Sequence, residues 1–199
     1  MVSPMQDLCD LTGGDWGFLV KVIGGPENVR RLKRGELEIS LKEIMRILPC
    51  TKPFDPASFI GSGWKFEDGE SKDVRTDIDW CKVRFEHYLK EGETTITGEE
   101  KLKRINASGD TPFGAKVFFS LWQDYQKNKE NSVLEWLYRT HGIIFMDFFR
   151  DVLRRPNGRR YVLYLYRIAG EWDADCSWLG RAWNAGGVSG VPASQPSNA

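Results

Sequence analysis

Few side chains in this sequence are spaced for covalent or acid–base chemistry. Cys176 and His141 are of the right types for a nucleophile and its base, but no neighbouring residue supports the pairing. Asp77 with Asp79, and Glu99 with Glu100, are close acidic pairs of the kind that can move a proton or hold a cation. The first falls in an expected turn. The second falls in the expected first turn of a helix, where acids are favoured by the helix dipole alone. The four cysteines, Cys9, Cys50, Cys81 and Cys176, form no CxxC pair, and neither His87 nor His141 stands at ligand spacing from a Cys or another His. Gly13-Gly14 and Gly24-Gly25 lack the Lys and Ser/Thr of a phosphate-cradling loop. The expectation is a protein that is not an enzyme, with no catalytic residues, no metal and no cofactor.

Two clusters point to binding instead. Arg30, Arg31, Lys33 and Arg34 follow a Gly-Gly break between two short helical patterns, the outline of a helix-turn-helix that would offer cations to phosphates. The first fifty residues hold seven basic and seven acidic residues, and the whole chain has a net charge of zero, so no basic surplus draws it to nucleic acid. Nucleic acid is the alternative partner. The other cluster is the run from Arg167 to Ser189, where Trp172, Trp178 and Trp183 are separated by small or polar residues. Such a segment is ordered when its rings anchor it to a core and leave the side chains between them outside.

The elements that must position these residues read as α+β. Phe18, Leu19, Val22 and Ile23 have helical spacing; Pro26 opens a second helix to Arg34; Ser40 caps a third, Leu41–Leu48, with Glu43 completing a capping box. Pro49, Pro53 and Pro56 then mark a boundary. Val83-Arg84-Phe85 reads as a strand fragment, which Tyr88 and Leu89 extend or turn. Thr97 before Gly98-Glu99-Glu100 starts a helix that Gly109 ends, and Pro112 opens another with the stripe Val117, Phe118, Leu121, Trp122 and Tyr125. Ile143–Phe149 and Tyr161–Tyr166 form a β-hairpin about Pro156-Asn157-Gly158. Residues 1–50 are expected as a small helical region, 51–194 as the main domain and 195–199 as a loose tail. The N-terminus has acidic residues and no apolar run of a secretory signal, and no stretch approaches a membrane span, so the expected location is cytoplasmic with no membrane partner.

Gly158–Tyr166, Gly170-Glu171-Trp172, Trp178-Leu179 and Trp183-Asn184-Ala185, with Gly98–Arg104 and Pro53–Pro56, resemble the variable (target) proteins of diversity-generating retroelements in a mostly uncharacterised bacterial group. The resemblance spans roughly residues 50–194. It implies a C-type-lectin-like domain, helices packed on a twisted antiparallel sheet, that displays a diversified surface to an unknown protein or other macromolecular ligand. In such systems rewritten adenines turn Asn-type codons into almost any codon ending in a pyrimidine, which excludes Trp, Glu, Gln, Lys and Met. The expected variable positions are Arg167, Ile168, Ala169, Asp173, Asp175, Ser177, Gly180, Arg181, Ala182, Asn184, Gly186 and Gly187, all of the allowed class, with Trp172, Trp178 and Trp183 as structural anchors. Glu135-Trp136 is similar to an element of the formylglycine-generating branch of that fold. The lectin disulfides, a calcium-ligand cluster and the paired reactive cysteines of that branch are not found, so calcium-mediated sugar binding and oxidation are not expected.

Overall fold

A computed structural model describes residues 25–36 and 46–193. The chain divides into two units, Met1–Arg46 and Ile47–Ala199, so the division falls slightly before the expected one at residue 50. In the first unit, helix α1 (Pro26–Lys33) starts at its proline and carries Glu27 in the first turn. The expected helix over residues 18–23, most of that over 41–48, and the tail lie outside the described residues. Where the last of those helices would end, Ile47–Pro49 is instead strand β1, paired antiparallel with β3 (Asp77–Asp79). Leu48 is buried there opposite Ile78, so sheet packing sets the conformation of these last residues.

The second unit is α+β, and local signals set many of its element ends. Asp55 caps the short helix α2 (Pro56–Phe59) by accepting the Ala57 N–H. After β2 (Lys65–Phe66) and β3 come a 3-10 turn at Trp80–Lys82 and β4 (Val83–Glu86). Tyr88, at φ 62°, turns the chain rather than extending β4. Strand β5 (Thr95–Thr97) runs into α3 (Gly98–Ser108), where the Thr97 hydroxyl accepts the Glu100 N–H and Gly109 closes the helix at φ 76°. Helix α4 (Ala115–Asn128) begins three residues later than Pro112 suggested. The Phe113 amide is committed to the Gly190 carbonyl, and its own carbonyl accepts from Arg150, which holds that residue outside the helix. Helix α5 (Val133–His141) is capped by Ser132 and ended by Gly142.

The remaining strands are β6 (Phe145–Arg154), β7 (Arg160–Ile168), β8 (Glu171–Trp178), β9 (Ala182–Asn184) and β10 (Val188–Pro192). The main sheet has the order β4-β10-β6-β7-β8, with β2 also pairing β6, and β5 pairs β9 separately. All these pairings are antiparallel except β10 with β6. Strand β8 was not expected; the Trp-rich segment enters the sheet as its outermost strand.

One face of the sheet carries Met146, Phe148, Leu163, Leu165 and Trp172 against Phe118, Leu121, Leu134 and Leu137 of α4 and α5. The opposite face is covered at one end by a second, smaller core of Ile105, Phe149, Val162, Leu179 and Trp183. The alternation of β6 shifts at an irregularity between Phe148 and Leu153. Phe149 still follows Phe145 and Asp147 onto the face of the smaller core, Leu153 returns to the larger one, and Asp151 between them turns to the start of α4. There its carboxylate accepts the Ala115 and Lys72 N–H groups and the Ser71 hydroxyl, each at 2.7 Å. A Cβ on Gly114 would lie 2.4 Å from that carboxylate, so only glycine lets the two segments meet. Among the described residues no helix is long and apolar enough to cross a membrane.

Candidate binding face

Period-two alternation divides β8 between two environments. Trp172 is 3% exposed and lies under α4, where the Tyr125 hydroxyl accepts its backbone N–H. Ala174 and Cys176 are half-buried behind it. Glu171, Asp173 and Asp175 point the other way and are exposed. Across the ladder Asp173 pairs with Tyr166 and Asp175 with Tyr164, and each tyrosine hydroxyl donates to the facing carboxylate, at 3.0 and 3.2 Å. Burial and then Asp175 push the Tyr164 hydroxyl above the usual phenol range, and the hydrogen bond to Asp173 raises that of Tyr166. The Phe145 ring stacks on Tyr164 at 4.7 Å and 16°, and Tyr166 follows at 5.3 Å. The result is an aromatic ladder with carboxylates along one side.

The loops that frame this ladder are tied down from beneath. Trp183, 4% exposed, fills the smaller core from β9, and a Cβ on Gly98 would lie 2.5 Å from its ring, so α3 starts in close contact with it. The Gly98 and Glu99 amides donate to the carbonyls of Arg181 and Leu179. Below them Lys101 and Asp147, both fully buried, form an ion pair at 2.7 Å. The Lys101 ammonium also donates to the Gly187 carbonyl at 2.9 Å, the Ser189 hydroxyl donates to Asp147, and the Phe149 ring lies 5.2 Å from the ammonium. One charged pair thereby fixes α3, β6 and the turn before β10 to each other.

Of the expected variable positions, Ile168, Ala169, Asp173, Asp175, Gly180, Arg181, Ala182, Asn184 and Gly186 are exposed. Three need correcting as display positions. Ser177 is buried because it pairs with Val162 beneath the smaller core. Gly187 is buried because its carbonyl serves Lys101, and a Cβ there would press on Trp183 at 3.2 Å and Phe145 at 3.4 Å. The Arg167 side chain is spent on the frame: its guanidinium lies 4.0 Å over the Tyr138 ring and donates to the largely buried Glu135 at 2.9 Å. Trp178 is also corrected as a buried anchor. It is 41% exposed, because it pairs with Tyr161 at the end of β8 and meets Arg159 on its face and Gly180 beneath.

The other candidates are held structurally. Asp79 caps the 3-10 turn through the Cys81 N–H and pairs with Lys82, while Asp77 accepts from Thr76. Glu99 pairs with Arg160, and Glu100 with Arg104. His141 packs against Phe85 and Trp136 at the end of α5, whereas Cys176 is on β8 and no hydrogen bond joins them. Burial, with Asp175 beside it, pushes the Cys176 thiol up to about 11, the reverse of an activated nucleophile. Among the described residues no group of three or more His, Cys, Asp or Glu is placed to hold a metal ion. On α1, Arg30 and Arg34 pair with Glu27, and Arg34 also with Glu36, while Arg31 is exposed. Lys33 ends that helix. Comparison of the chain with known protein families, with curated proteins and with solved structures finds no match.

Proposed function

We propose that the chain is a non-enzymatic binding protein of C-type-lectin-like architecture. Its β8–β9 surface is the diversified target surface of a diversity-generating retroelement, presented to a protein or other macromolecular ligand. The observation that carries the reading is the separation of roles within one segment. Ile168, Asp173, Asp175, Arg181, Ala182 and Asn184 are exposed, while Trp172, Leu179 and Trp183 between them are buried. Exposed side chains of this kind change stability by about 0.5 kcal/mol or less when replaced, so the surface can be rewritten without unfolding what carries it. The stacked, carboxylate-flanked ring ladder supplies the amphipathic contact area on which binding hot spots are built.

Sequencing the DNA that flanks the coding region tests the proposal. It should reveal a near-copy of the codons for residues 163–194, differing only where the copy carries adenine, beside a reverse transcriptase gene. With neither in the genome, the diversification reading falls. The alternative of a nucleic-acid regulator acting through Arg30, Arg31, Lys33 and Arg34 draws less support, because Glu27 and Glu36 already neutralise part of that charge.

A further inference from the structure

Resting on the reading of this face as the binding surface, we infer that its open end takes a cationic, arginine- or lysine-bearing segment of a partner protein. Phe145, Tyr164 and Tyr166 form one continuous ring surface. Ring faces carry partial negative charge, and the two hydroxyl hydrogens are turned aside to Asp173 and Asp175. Those carboxylates stand at alternate positions of β8, on the same side as the rings, and both are exposed. Among the described residues neither makes an ion pair. Their neighbour Glu171, by contrast, is answered by Lys129 at 3.6 Å. Arg181, close enough to act on Tyr164, offsets only part of this charge.

The fold itself shows what such a combination binds. At the same end of β7, on its opposite face, the Arg167 guanidinium rests on the Tyr138 ring at 4.0 Å while Glu135 accepts its N–H at 2.9 Å. Tyr166 with Asp173, at the end of the stack, presents the same pairing of ring and carboxylate, and Asp175 beside Tyr164 adds a second carboxylate. A planar guanidinium meets both at once, ring by face and carboxylate by fork, and an ammonium meets them as a point charge. A nucleic-acid backbone would meet two carboxylates and is repelled.

The probe is a short acetylated peptide alternating arginine and serine, with a glutamate–serine peptide as control, titrated against the full chain by calorimetry at two salt concentrations. The arginine peptide should bind, more weakly at higher salt, and the glutamate peptide should not. The Asp173→Asn/Asp175→Asn double variant keeps side-chain size and should keep the melting temperature, yet bind about tenfold or more weakly, as two lost charge-assisted contacts imply. Tyr166→Leu should weaken binding by about threefold and leave the salt dependence unchanged. Binding that is absent, equal for both peptides, or untouched by the double variant overturns the inference. The flanking-DNA result is independent of this titration: a near-copy found beside a failed titration removes the cationic ligand but keeps the diversified face. A bound arginine peptide without the near-copy does the reverse.

Discussion

The inner and outer faces of the β7–β8 hairpin are built from alternate residues of the same two strands, yet different forces hold them. The inner face, Leu163, Leu165 and Trp172, is closed by two helices, and its stability is removed apolar area. The outer face is half covered. Over the covered half a small apolar core is locked by the buried pair Lys101 and Asp147; over the open half Tyr164 and Tyr166 donate across the ladder to Asp175 and Asp173, which also accept the Cys176 and Ala174 N–H groups. A side chain that faces out here is therefore separated by one residue from a side chain the fold cannot lose. That contrast makes a surface both firmly held and replaceable.

Substitutions should expose the contrast in order of size. Trp172→Ala removes a buried ring and should lower unfolding free energy by about 3–5 kcal/mol in urea titrations; a loss under about 1 kcal/mol would break the distinction between the faces. Lys101→Met leaves Asp147 buried without its counter-ion and should cost a similar ~3–5 kcal/mol, whereas Lys101→Met with Asp147→Leu should cost clearly less than the single change. If the double variant is worse than the single, the pair is not a matched buried charge but something α3 cannot be built without. Trp178→Ala, at 41% exposure, should cost on the order of 1 kcal/mol, well short of Trp172 in the same strand. Asp173→Asn should move the melting temperature least of all, with a change of about 0.5 kcal/mol or less.

A pH dependence sharpens the picture at the edge of the smaller core. Hydrogen bonds from Arg104 (one at 2.9 Å) and from the Lys90 N–H hold the Glu93 carboxyl down at about 2 against an ordinary 4.5. Between those values the unfolded chain binds the proton and the folded one does not. The stabilisation is therefore present above 4.5 and is lost as pH falls toward 2. The urea midpoint of the parent should drop over that interval by more than that of Glu93→Gln; equal drops would mean the clasp contributes nothing.

What was legible in the sequence was local. Thr97 and Gly109 announced both ends of α3, and Asn157-Gly158 the turn between β6 and β7, because cap and turn chemistry acts within a few residues. Strand β8 was also written locally, in the alternation of Glu171, Asp173 and Asp175 with Trp172, Ala174 and Cys176. The spacing of the tryptophans hid it. Trp172 and Trp178 share a parity, and only the reach of the helices decides that one is covered and the other not. Lys101 was illegible altogether. It sits on an otherwise charged helix, and its partner Asp147 is 46 residues away in a run read as pure strand former. Arg167 looked like a display residue because Glu135, which holds it, lies 32 residues back on another element. Ser177 and Gly187 failed as display positions for the same reason: what buries them comes from other elements, α3 and β6.

The placement of β10 between β4 and β6 governs the order of events when the chain folds. Every strand pair that involves β10 joins distant parts of the sequence, and Lys101 reaches 86 residues ahead to Gly187 at its entrance. The β6–β7–β8 meander forms from neighbours and needs no such closure. Closing such long loops costs chain entropy before their contacts form, so docking of β10 is expected to follow the meander. Gly190→Ala, whose Cβ would stand 2.8 Å from the Phe113 ring, should therefore slow refolding in stopped-flow traces, while Asp173→Asn and Asp175→Asn, on the meander's free side, should leave the rate unchanged. A surface rewritten at those positions would reach its native state on an unchanged schedule.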